Sequence, residues 1–213
     1  MANLDDARKA ALLPSEYGSF LRFIGQSKGY QVESYQYGKC QAKIYTEPGD
    51  KGGAKKSEGI KHAIKTVISN GYALRGEVRV YCAMSFEAQN RAFHRDPGWN
   101  SICYITLGKE VMAAADRDSI SQQSHPGFER ETVTCIHEIG HHLHELSAGD
   151  VEFWGTGSSL SGRPVNAAEL SQYAGTNKKE FVAEAFAAMN IGRKLSAAAM
   201  KEYRDYNGPM IGG

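Results

Sequence analysis

The chain has 213 residues, with 25 Lys and Arg against 24 Asp and Glu. So even a balance gives no long-range field for a polyanion, and nucleic acid is excluded as an expected partner. With 41% hydrophobic and 23% charged residues it has an ordinary globular composition, long enough to bury one core without staples. No window approaches the ~18 consecutive apolar residues of a membrane span. The N-terminal stretch MANLDDARKAALLPSEYG is acidic where a Sec signal would be basic and then apolar, so neither a membrane partner nor Sec-type export is expected. Cys40, Cys82, Cys103 and Cys135 show no CxxC pairing. They read as reduced core residues, two disulfides being the alternative in an oxidising compartment.

Tyr30 to Tyr45 alternates in the manner of a β-hairpin, with Gly38 near its turn. The Gly/Lys-rich stretch Glu47 to Gly59 and the Gly/Ser-rich stretch Gly155 to Pro164 read as exposed loops. Glu58 to Asn70 spaces Ile60, Ile64, Val67 and Ile68 helically and meets Gly71, a suitable C-terminal stop, so it should lay one face on a sheet. Glu77 to Met84 and Ser101 to Leu107 alternate as strands, the second following a turn at Asp96-Pro97-Gly98. From about Glu129 a helical period runs through Val133, Ile136, Ile139, Gly140 and Leu143, and Asn177 can cap a further helix, Lys178 to Gly192. The expected fold is a single α+β domain over 1–213, with a small twisted mixed sheet on one side of two or three helices. Within it, 1–70 is an N-terminal subregion and 129–192 carries the chemistry.

The chemistry begins with His137-Glu138-Ile139-Gly140-His141, an HExxH pattern on the first of these helices. Residues four apart share a helix face, so two imidazoles can reach one metal ion. Zinc accepts imidazole nitrogen readily, and a catalytic site needs three protein ligands and an open position for water. Glu138 flanks that face, where its carboxylate can take a proton from such a water. A third ligand of the HExxHxxGxxH type would require Gly and His at positions occupied by His144 and Ser147. A later Glu is the alternative, and Glu180 and Glu184 sit at i and i+4 of the second helix. One can bind metal while the other orients a ligand. The apolar run Phe181, Ala183, Ala185, Phe186 and Ala187 argues against a merely solvated acidic face.

The segment Tyr173-Ala-Gly-Thr-Asn-Lys-Lys-Glu180-Phe-Val-Ala-Glu184-Ala-Phe186 resembles the catalytic domain of anthrax lethal factor and its relatives. That family has an HExxH helix, then a Tyr seven residues ahead of the Glu that opens an EFxAEAF motif. The likeness covers 132–189, about a quarter of the chain, and clostridial Pro-Pro endopeptidases share the same general arrangement. It implies a zincin-like fold with zinc held by His137, His141 and Glu180, and Glu138 as general base. It further implies that Tyr173 hydrogen-bonds the developing oxyanion and that Glu184 supports a ligating histidine. A phenol in that place makes chemical sense, because it can stabilise charge that appears only in the transition state.

Two weaker expectations concern substrate contacts. His144 returns to the face of His137 one turn below His141, to line the cleft or to sit in a second layer. The strand Ser101 to Leu107 could pair with an extended peptide near Tyr104 by β-augmentation, or lie buried at the centre of the sheet. The resulting expectation is a zinc metalloendopeptidase acting on a protein or peptide. Compact zincins resembling lethal factor serve as toxins, secreted effectors and domains of prophage-encoded proteins, so the resemblance implies a bacterial or phage effector, with a cognate inhibitor or a delivery machinery as the further partner to look for. The rivals are a metal-dependent hydrolase of a non-peptide amide or ester, and a catalytically silent module stabilised by zinc.

Overall fold

The computed structural model describes residues 29–82, 94–95, 102–107, 118–149, 152–153 and 158–212. It opens on an antiparallel hairpin of β1 (Gln31–Tyr37) and β2 (Cys40–Thr46), which turns through Gly38 at φ 58°. Cys40, Ala42 and Ile44 of β2 are buried while the residues between them face outward, so the alternation in the sequence becomes one core face.

Helix α1 (Gly53–Ser69) buries Ile60, Ala63, Ile64 and Val67 and stops at Asn70 and Gly71. It begins five residues before the periodicity in the sequence suggests. The stretch Glu47 to Gly59, expected as an exposed loop, therefore contributes about the first two turns of the helix, in which Gly53, Lys56, Ser57 and Gly59 are buried. Two features of that stretch explain the correction. Lys56 carries its charge inward because Asp50 meets its Nζ at 2.8 Å. A Cβ on Gly59 would stand 2.8 Å from Glu131 Cβ and 3.1 Å from the Glu131 carbonyl carbon, so the absence of a side chain lets a second helix come close.

Strands β3 (Gly76–Cys82), β4 (His94–Arg95) and β5 (Ile102–Leu107) complete a mixed sheet of order β1-β2-β3-β5-β4. β3 runs parallel to both β2 and β5, and β4 is antiparallel to β5. Tyr104 is paired with Arg79 on one side and Arg95 on the other. The expected β-augmentation at Tyr104 is thereby ruled out: both hydrogen-bonding flanks of the strand are taken, and the strand at that end of the sheet is β4. The turn expected at Asp96-Pro97-Gly98 lies outside the described residues, as do 155–157 of the expected Gly155 to Pro164 loop.

Helix α2 (Arg130–Ala148) lies beside α1 and against β4 and β5. Helix α3 (Lys178–Asn190) packs on the far side of α2, and α4 (Ala197–Asp205), which the sequence reading did not mark, packs on α3. Phe181 through Ala188 are all buried, which accounts for the apolar run on every side of α3. The core joins Val78, Val80, Ile105 and Leu107 of the sheet to Val133, Ile136 and Ile139 of α2 and to Phe181 and Phe186 of α3. Cys40, Cys82 and Cys135 are unpaired and buried, and burial pushes the thiols of Cys40 and Cys82 up to about 11 and about 12. Among the described residues, no helix is long and apolar enough to cross a membrane.

Candidate metal centre

The centre forms where the middle of α2 meets the first turns of α3. His137 and His141, one turn apart on α2, present edge-to-face rings whose centroids are 4.7 Å apart. Asn177 begins α3 by accepting the backbone N–H groups of Lys179 and Glu180 on its side-chain oxygen, which fixes the turn that carries Glu180. The two helices approach closely at Gly140, inside the HExxH segment: a Cβ there would stand 2.9 Å from Phe186 Cδ1.

Three donor atoms converge as a result. His137 Nε2 and His141 Nε2 are 3.1 Å apart, and Glu180 Oε2 lies 3.2 Å from the first and 3.1 Å from the second. Two protein ligands on a tetrahedral ion at about 2.0–2.1 Å are separated by roughly 3.3 Å, so the spacing suits one cation. Proton counting agrees. His137 directs Nδ1 at Glu184 Oε1 at 2.9 Å, and a carboxylate only accepts, so the neutral ring carries its proton on Nδ1 and offers a lone pair at Nε2. That lone pair faces the carboxylate oxygen of Glu180, an arrangement that a positive charge between them would satisfy. Without a metal the alternative is a proton. Burial disfavours charging His137, but its bonds to Glu180 and Glu184 outweigh that and hold its pKa well above the usual histidine value. For Glu180, burial likewise opposes the charged form, and the two histidines overcome it to hold the carboxyl well below the ordinary range.

Glu184 sits one turn deeper than Glu180 and is fully buried. Besides the His137 ring it accepts the Ile120 backbone N–H and the Ser171 hydroxyl, both on Oε2 at 2.6 Å. Glu138 is 4% exposed, and its charge adds to those that favour protonation of His137. Tyr173 opens a short 3-10 turn, Tyr173–Gly175, and its half-buried ring lies 5.9 Å from that of His137, centroid to centroid. Phe153 stands edge-on to the rings of His141 and His144.

His144 does not line a cleft. It is fully buried, its Nε2 meets the carbonyl of Tyr206 at 2.7 Å, and burial lowers its pKa to about 4. The chain after α4 occupies the space where a substrate contact was considered. His62 stacks on Phe128 and His125 bonds the carbonyl of Ile120, so neither joins the centre. The sequence reading missed Ser171, Ile120 and Phe153. A backbone N–H and an isolated serine carry no periodic or motif signal, and only the contact across the fold reveals them.

Fold and site together define an α+β protein in which His137, His141 and Glu180 form a group that could hold a metal ion. Comparison of the chain with known protein families, with characterised proteins and with solved structures finds no match.

Proposed function

We propose that the protein is a zinc-dependent endopeptidase of the zincin type, with His137, His141 and Glu180 as metal ligands. The observation that carries this reading is the convergence of His137 Nε2, His141 Nε2 and Glu180 Oε2 to within 3.2 Å of one another. Two imidazoles and one carboxylate suit zinc, and three protein ligands leave a position open for catalysis. The packing of α2 against strands β4 and β5 of a mixed sheet and against α3, which brings Glu180 to His137 and His141, supports the zincin reading of the fold.

A zinc ion held there supplies Lewis acidity, lowering the pKa of a water toward neutrality and polarising a carbonyl oxygen. Glu138, next to His137 on the helix, takes a proton from the attacking water and passes it to the departing amine. Tyr173 donates its phenolic hydrogen to the carbonyl oxygen as negative charge builds on it. Glu184 keeps His137 in the tautomer that leaves Nε2 free to ligate. Strand β4 lies against α2 and, among the described residues, has β5 as its one strand partner.

Elemental analysis of protein purified without added metal tests the ligand set. About one zinc per chain is expected in the parent and in Glu138→Ala, with Glu180→Ala losing it. An unloadable parent, or a Glu180→Ala variant that holds zinc as tightly as the parent, would end the proposal. Cleavage of a peptide library by the parent but not by Glu138→Ala would extend it from metal site to enzyme.

A further inference from the structure

Ser171 stands two residues before Tyr173, is 5% exposed and turns its hydroxyl inward. The hydroxyl donates to Glu184 Oε2 at 2.6 Å and accepts the backbone N–H of Ala174 at 3.0 Å. The other oxygen of Glu184 receives His137 Nδ1 at 2.9 Å. A single buried hydroxyl therefore links the carboxylate that orients a candidate ligand ring to the turn that begins at Tyr173. Asp118 holds the same turn from outside, its Oδ2 accepting the Gln172 N–H at 2.7 Å.

We propose that Ser171 is a positioning residue of this metal centre, coupling the orientation of His137 to the placement of Tyr173 through Glu184. The inference rests on the metal-centre reading above. A hydroxyl bonded to a carboxylate in a buried site is among the stronger hydrogen bonds, and bonds in such a chain reinforce one another. Partners that orient a ligating histidine are worth about 10- to 100-fold in metal affinity. Removing the hydroxyl leaves Glu184 Oε2 with the Ile120 N–H and releases the Ala174 N–H, so both ends of the link loosen together.

Cobalt(II) titration of the full chain, read by its visible absorption, tests this in the parent, Ser171→Ala and Ser171→Thr, alongside amide exchange over 171–176 with and without cobalt. Ser171→Ala is expected to bind cobalt about tenfold more weakly, with an altered spectrum, and its 171–176 exchange should lose the response to cobalt shown by the parent. Ser171→Thr, which keeps the hydroxyl, should restore all three. A merely structural serine would lower the denaturation midpoint yet leave the spectrum and the affinity of the folded protein unmoved, and that result overturns the proposal. Should Ser171→Ala not fold, Ser171→Cys, close in volume with a weaker donor, is read by the same criteria. A parent that binds no cobalt overturns both the metal-centre reading and this proposal. A parent that binds it while the variant stays within twofold overturns this proposal alone.

Discussion

Replacing Glu184 by Gln separates metal binding from folding in a way the structure makes quantitative. The carboxylate accepts three hydrogen bonds, from Ile120 N–H and Ser171 on one oxygen and from His137 Nδ1 on the other. An amide of the same shape keeps two of them by placing its oxygen where Oε2 was, and then aims an NH2 group at His137. The ring must answer by accepting on Nδ1, which moves its proton to Nε2, the atom that faces Glu180 and His141. Ligation by His137 is lost with hardly any change of volume. The expected cost is about 2 kcal/mol of stability for the weakened bond to a charged group, and at least 10- to 100-fold in zinc affinity. Glu184→Ala would be less informative. It strands three buried donors at about 1–3 kcal/mol each, a sum comparable to the whole ~5–15 kcal/mol stability of a domain. The assay is zinc affinity by competition with a calibrated chelator, together with urea denaturation of the metal-free protein. A Glu184→Gln variant that folds and binds zinc as tightly as the parent would refute the tautomer argument.

Gly140→Ala would press a methyl into Phe186 and should destabilise by about 1–3 kcal/mol, less up to ~1 kcal/mol regained from helix propensity; an unchanged urea midpoint would show that the α2–α3 contact gives way easily. Asn177→Ala removes the cap of α3 and should cost about 1 kcal/mol while weakening zinc binding several-fold, since the Glu180 N–H is one of the capped groups; loss of stability with unaltered affinity would separate the cap from the centre. In metal-free protein, stability should fall as pH drops from about 6.5 to 4. Burial lowers the pKa of His142 and of His144 to about 4, so the unfolded chain binds more protons in that window, at a cost approaching 3 kcal/mol for each. His137 has the opposite sign and does not offset this: its raised pKa gives a contribution complete below pH 6.5 and lost as pH rises through the folded value. Urea midpoints at pH 7, 5.5 and 4.5 with chelator present check the trend, and a flat profile would contradict it.

The most local features of the chain are the ones its sequence determines. Four-residue spacing on a helix brings His137 and His141 to one face wherever that helix lies, and Asn177 caps α3 through atoms two and three residues away. The Tyr30 to Tyr45 alternation likewise yields a hairpin across Gly38. Burial of part of the Glu47 to Gly59 stretch was hidden, because Lys56 reads as solvated until Asp50 is seen beside it. Nor could the interior position of β5 be read, since strand order depends on β4 returning to its flank.

At the centre the same division holds. Spacing offers Glu180 and Glu184 as equals on one face of α3, and the family resemblance ranks them. The angle at which α3 crosses α2, permitted by Gly140 against Phe186, sets Glu180 at the two Nε2 atoms and sinks Glu184 behind the His137 ring. His144, on the same helix face, is closed off by the carbonyl of Tyr206, 62 positions away. Ser171 and the Ile120 N–H reach Glu184 from 13 and 64 positions away. Helical periodicity places side chains on a face because the repeat is fixed by backbone hydrogen bonds within a few residues. What meets that face is decided by the packing of separate elements, and only the tertiary structure carries that information.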